Sequence, residues 1–272
     1  MQLAIRHETT YRYQADQAYS IEQLHITPRA ESQQSVLSWR IHTPGHCHAY
    51  TDAYGNLSHM LTLNEPHREV VIVAQGVVAT TVLAGGRLRD GDGLPPLVFT
   101  VPTRLTEPSG PVQEFAAALP GRPAQVGTSA LLALAERIVG AVAYQSGATN
   151  VHTSAADALR LGAGVCQDHA HLFLACCHAR GVPARYVSGY IDPESTGHAA
   201  SHAWVDAWAS DHGFEGWVSI DVTHARLMSD AYCRLAIGRD YDSAAPVRGS
   251  RRGSGPEAMT VDVQILPVRA RV

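Results

Sequence analysis

Cys166 opens an apolar stretch that runs to Arg180, directly after the turn Leu161-Gly-Ala-Gly-Val165. A thiol at a helix start meets backbone N–H groups that lack helical acceptors, together with the positive end of the helix dipole. Both favour the thiolate, the nucleophilic form. The same N–H groups can receive the oxyanion of a tetrahedral intermediate. Taken alone, a cysteine is more often an inert packing residue, and a thiol nucleophile needs a base with an orienting group behind it. Ser201-His202-Ala203-Trp204 starts a strand-like run with a histidine at its edge, and Trp217-Val-Ser-Ile-Asp221 ends the next with a carboxylate. The order Cys, His, Asp falls at spacings of 36 and 19 residues. His202 is one of 15 histidines, so it carries little weight singly; the specificity lies in the cap position, the strand ends and the order. Such a trio would perform acyl transfer through a thioester.

Other reactive side chains read more plainly. His169 and His171 are two residues apart on a helix, whereas chelating pairs on helices stand three or four apart, so packing is the better account and a zinc centre is not expected. Asp168, in the first helical turn, is suited to capping. Cys176 and Cys177 fall mid-helix on an apolar face. Trp204, Trp208 and Trp217 belong to the core or a cleft wall. Gly162-Ala-Gly164 lacks the third glycine of a dinucleotide loop. No carboxylate-rich loop suggests calcium.

The elements that must position the trio follow from periodicity. Leu3, Ile5, His7, Thr9, Tyr11 and Tyr13 alternate with Ala4, Arg6, Glu8, Thr10 and Arg12, a strand pattern, and further strands are expected at Ser20–Thr27, Ser35–Thr43, Leu57–Leu63 and Arg68–Leu83. A Gly-, Pro- and Asp-rich stretch between Gly85 and Pro111 marks a boundary. Beyond it, Leu131, Leu134, Ala135, Ile138 and Val142 predict a helix capped by Thr128 or Ser129 and closed near Gly147. A shorter helix reaches Leu161, and the Cys166 helix stops at Gly181. Strands at Ala184–Tyr190, His202–Trp208 and Gly216–Val222 follow, then a helix from Ser229 to Ile237. An arginine- and glycine-rich loop (Arg248, Arg251, Arg252) leads to a strand at Thr260–Leu266. His202 and Asp221 are expected directly opposite each other in one hairpin, with Trp204 facing Ser219 and Asp206 facing Trp217.

Composition narrows the partners. Of 272 residues, 45% are hydrophobic and 17% charged, enough for a core and too few charges for disorder. With 21 basic against 25 acidic residues the net charge is −4, so nucleic acid is not an expected partner. Every basic residue is arginine; lysine is absent. No signal-like or membrane-spanning apolar segment stands out, and five cysteines without framework spacing argue against a disulfide scaffold. The expectation is a cytoplasmic protein that takes a peptide or protein substrate and binds neither membrane nor cofactor.

The chain also resembles a known family. Gly164-Val-Cys166-Gln-Asp168-His-Ala-His171, Ala184-Arg-Tyr-Val-Ser-Gly-Tyr190, Ser201-His-Ala-Trp-Val205 and Gly216-Trp-Val with Asp221 are similar to the bacterial transglutaminase-like family, as are Arg6-His-Glu-Thr-Thr-Tyr-Arg-Tyr13 and Gly238-Arg-Asp-Tyr241. The resemblance implies an α+β fold: a papain-like core at 101–272, completed by the C-terminal strand, behind an all-β, sandwich-like domain at 1–100. It also implies Cys166 as nucleophile, His202 as base and Asp221 as orienting acid, with no metal. Two positions depart from the family pattern: Val222 stands where proline is usual, and His169 where phenylalanine is common. The implied activity is hydrolysis of a peptide or protein amide or its transfer to an amine. A non-catalytic binding module on the same fold, or a zinc hydrolase using the histidines, are the alternatives.

Overall fold

The computed structural model describes residues 1–89, 93–120, 123–192 and 201–268. The first unit contains β1 (Gln2–Leu24), β2 (Gln34–His42), β3 (His46–Thr51), β4 (Leu57–Leu63) and β5 (His67–Thr80). Next come α1 (Gly110–Ala116), α2 (Thr128–Ala141), the two-residue β6 (Ala143–Tyr144), α3 (Ala155–Leu161), β7 (Ala163–Gly164) and α4 (Cys166–Ala179). The second half holds β8 (Ala184–Ile191), β9 (Ser201–Asp211), β10 (Phe214–Asp221), β11 (Arg226–Leu227), β12 (Tyr232–Gly238) and α5 (Tyr241–Ala244). It ends with β13 (Val247–Gly253) and β14 (Glu257–Pro267). The fold is α+β, with antiparallel main sheets.

The 23-residue β1 is the spine of the first sheet. Its alternating residues Leu3, Ile5, His7, Thr9, Tyr11 and Tyr13 are buried, as their period of two requires. Along one edge, β5 pairs with its first half and β4 with its second; along the other, β14 and β13 do the same. The C-terminal strand therefore completes the N-terminal sheet and not the papain-like core. Its alternation marks a strand, but no local signal names the partner. The expected arginine-rich loop is β13. Gly249 is required by close approach: a Cβ there would lie 2.3 Å from the Ile21 carbonyl oxygen.

The second sheet has the order β11-β10-β9-β8-β12. Helices α2 and α4 pack on one face, where Leu131, Leu134, Ile138, Leu172 and Phe173 join Val205 of β9 in one core, and α1 packs on α4. On the other face lie Leu88 and Phe99, from the stretch read as a linker, buried with Trp204, Trp217 and Tyr232. The expected helix at Ser229–Ile237 is strand β12, hydrogen-bonded to β8. Its run Tyr-Cys-Arg-Leu-Ala-Ile-Gly is buried on both faces. Cys233 and Leu235 meet Leu3, Ile5 and Val78 of the first sheet, and Tyr232 and Ile237 meet the tryptophan cluster. A short apolar run buried on both sides carries no period to separate strand from helix.

Helix α2 begins where expected but takes its cap from outside: Asp211 accepts from the Thr128 backbone N–H (2.9 Å) and hydroxyl (2.6 Å). It ends at Ala141, earlier than Gly147, because Ala143 and Tyr144 pair in parallel with Ala163 and Gly164. That bridge leads straight into α4 and fixes the turn before Cys166.

Candidate active site

The site is assembled where the start of α4 meets the ends of β9 and β10. Val165 is extended, and the helix begins at Cys166, which is partly exposed. Asp168 caps the turn: its Oδ2 accepts the Val165 N–H (2.8 Å) and the Thr149 hydroxyl (2.6 Å). Burial pushes the Asp168 carboxyl up, against those two hydrogen bonds. Its role is the expected cap.

The hairpin carrying the other two residues is tighter than the sequence suggested. Strands β9 and β10 run to Asp211 and Phe214 and are joined by His212 and Gly213, the latter at φ +76°. The register pairs Trp208 with Trp217 and Asp206 with Ser219. It is displaced by two residues from the register expected, in which Asp206 faced Trp217. Continued outward, it sets Asp221 against Trp204. Because the displacement is even, every side chain stays on its expected face.

Cys166, His202 and Asp221 are brought together. His202 Nε2 lies 2.9 Å from Asp221 Oδ2. The Cys166 side chain adjoins the same imidazole and raises it, and with Nε2 on the carboxylate, Nδ1 is the nitrogen left for sulfur. Burial would lower the His202 value, but the bonds and charges of Asp221 and Cys166 prevail and push it up to about 10. Asp221 is fully buried. Burial would raise its carboxyl, yet donation from His202, His224 and Tyr232 holds it far below the usual carboxylate range.

His224 and Tyr232 are partners the sequence did not reveal. His224 Nδ1 is 2.7 Å from Asp221 Oδ2, and the Tyr232 hydroxyl donates to the same oxygen at 2.7 Å. Arg226 Nε donates in turn to Tyr232 (2.9 Å). His224 lies three residues past the acid with no local pattern to single it out; Tyr232 arrives from β12, a strand where the sequence predicts a helix. His202, Asp221 and His224 each offer one ligand-type atom within 4.8 Å of the others. Those atoms are already matched as donors and acceptors, so the set reads as a hydrogen-bonded group.

The remaining expected residues fall outside the reacting trio. His169 bridges Val142 O (2.9 Å) and the Thr223 hydroxyl (3.1 Å), and His171 accepts the Tyr241 N–H (3.1 Å). Both pack α4, as expected, and form no zinc cluster among the described residues. The Trp204 indole N–H donates to Ser219 Oγ (3.0 Å) and that of Trp208 to Glu215 (3.2 Å). Behind the trio, fully buried Asp206 is gripped by Arg234 (2.8 and 2.6 Å) and Arg185 (2.8 Å). Arg234 also reaches Glu31 at 2.7 Å, and Glu31 pairs with Arg29, linking the first unit to the core sheet.

A helix-borne thiol set against an imidazole and a carboxylate on neighbouring antiparallel strands defines a papain-like cysteine centre. Residues 3–79 match the bacterial transglutaminase-like N-terminal region, and residues 114–222 match the transglutaminase-like superfamily core. An uncharacterized protein of Mycobacterium leprae is 31% identical over 97% of this chain and 98% of its own length. One from Mycobacterium bovis is 31% identical over 97% and 92%. The crystal structure of a candidate cysteine protease from Cytophaga hutchinsonii superposes with a TM-score of 0.76 at 24% identity, covering 100% of this chain and 92% of that one, and shares the fold. The chain belongs to the transglutaminase-like superfamily, in the form that carries the bacterial N-terminal region. At the level of the family it is a cysteine enzyme.

Proposed function

We propose that the protein is an acyl-transfer enzyme acting on peptide or protein amides through a Cys166 thioester, with His202 as base and Asp221 as orienting acid. The observation that carries this reading is the 2.9 Å bond between His202 Nε2 and fully buried Asp221, with the Cys166 side chain against the same imidazole. Asp221 is an acceptor only, so it fixes the proton on His202 Nε2 and turns Nδ1 toward the sulfur.

The sulfur attacks the amide carbon and the S–C bond forms, while N–H groups of the first turn of α4 stand where the oxyanion develops. The C–N bond then breaks as His202 gives its proton to the departing amine. In the second half, water or an amine attacks the thioester and gives a proton to His202, and the C–S bond breaks. Water yields an acid and makes the protein a peptidase or amidase; an amine yields a new amide and makes it a transglutaminase.

The test is a panel of peptide amides incubated with and without a primary amine, followed by mass spectrometry. Release of acid, or of the amine-substituted product, by the wild type and not by Cys166→Ala supports the reading. A panel unchanged by the wild type, with Cys166 in its reduced form, favours a binding module on the same fold.

A further inference from the structure

Asp221 is held by more than the imidazole it would orient. The turn after β10 is closed by the Ala225 N–H donating to Val222 O (3.2 Å). Ala225 adopts φ +47°, the one positive φ at a non-glycine position among the described residues, a conformation seldom taken by a residue with a Cβ. This turn points two groups of His224 back at the carboxylate: the backbone N–H donates to Oδ1 (3.2 Å), and ring Nδ1 meets Oδ2 (2.7 Å). The same turn is tied to the thiol-bearing helix by Thr223 and His169 at 3.1 Å.

We propose that His224 is a positioning residue for Asp221, gripping both carboxylate oxygens so that Oδ2 stays aimed at His202 Nε2. The inference rests on the triad reading above. An ionised carboxylate only accepts, so His224 must donate through Nδ1. The His224 side chain is 21% exposed, whereas Asp221 is completely buried; the ring therefore stands between the carboxylate and solvent. Tyr232 approaches the same oxygen from β12, with Arg226 behind it. The ionisable groups around the pair are thus Cys166 and His169 on α4, His224 and Arg226 in and beyond the turn, and Tyr232 on β12.

An asparagine at 224 keeps a donor at the reach of Nδ1, and a leucine removes it. The imidazole NH and 15N resonances of His202, assigned by difference with His202→Gln, give its titration midpoint without any substrate. His224→Leu is expected to lower that midpoint by at least one pH unit and to reduce kcat more than tenfold with KM within twofold. His224→Asn should recover most of both. A leucine variant with an unchanged or higher midpoint, or an asparagine variant as impaired as leucine, overturns the proposal. Should the leucine variant not fold, His224→Ala carries the same comparison. A wild type inert toward amides would defeat the proposed function and leave the resonance test standing.

Discussion

Asp221 stands against Trp204 in the β9–β10 register, yet its Oδ2 lies 2.9 Å from His202 Nε2 on the diagonal. Diagonal neighbours across antiparallel strands have Cβ atoms at most about 7–8 Å apart, a gap that an imidazole and a carboxylate span together. The diagonal also lets Trp204 stack beside His202, with ring centroids 6.1 Å apart.

Cys166 should be the fast thiol. Burial pushes Cys176 up to about 12 and holds Cys177 and Cys233 well above the usual thiol range, and Cys47 is raised as well. Limiting iodoacetamide on the native protein, mapped by mass spectrometry, is expected to label Cys166 first. Labelling of Cys47 with Cys166 untouched would sink the assignment. Cys166→Ala should abolish turnover and change stability by less than about 1 kcal/mol, since the site is partly exposed.

Asp221→Asn is expected to cut turnover by about 10³–10⁴-fold, because an amide no longer fixes the His202 tautomer. Steady-state kinetics on the best amide found is the check. Turnover within threefold of wild type would remove Asp221 from the mechanism.

The His202–Asp221 pair also sets a pH dependence of stability. His202 moves from 6.5 up to about 10 on folding, so its contribution is complete below about pH 6.5 and is lost as the pH rises toward 10. Asp221 moves the other way, contributing above about pH 4 and losing its effect in acid. Urea titrations of the wild type and His202→Gln should therefore differ most between about pH 4 and 6.5, with the gap narrowing toward pH 10. A gap that widens over pH 7–10 contradicts the ion pair.

Removing Asp206 should be more damaging than removing any member of the trio. Asp206→Ala leaves Arg234 and Arg185, 0% and 2% exposed, without their shared carboxylate. The expected loss is about 3–5 kcal/mol, read from the urea midpoint. A loss under about 1 kcal/mol would mean that water or Glu31 takes over the role.

Wild-type protein mixed with a glutamine peptide should form no isopeptide ladder of itself, since the chain has no lysine to accept an acyl group. Lysine-containing partners remain competent acceptors. Gel electrophoresis under reducing conditions decides, and a covalent homopolymer would contradict the expectation.

The trio was legible because each member sits where a local signal is strong: a glycine turn before a helix, and the ends of two alternating strands. Helix α4 and strands β8, β9 and β10 follow from the same signals. The expected hairpin register differs by two because it sets His202 directly opposite Asp221, whereas the two meet on a diagonal; the strands also run on through polar Ser210, Asp211 and Glu215, which the sequence favours as loop. Tyr232 was hidden because β12 is buried on both faces, and His224 because a histidine three residues past an acid looks like any surface histidine. The partnership of β14 with β1 spans more than 240 residues, and no local pattern encodes a pairing at that range.

That pairing bears on how the chain is made. Strand β1 is synthesised before the thiol-bearing core, but β13 and β14, which cover one of its edges, follow the whole of that core. Until they emerge, that edge of β1 presents unpaired N–H and C=O groups along its length, the kind of template on which nascent chains aggregate. The N-terminal sheet is thus begun before the core and finished after it, and it can close only once the core strands it rests on have been made.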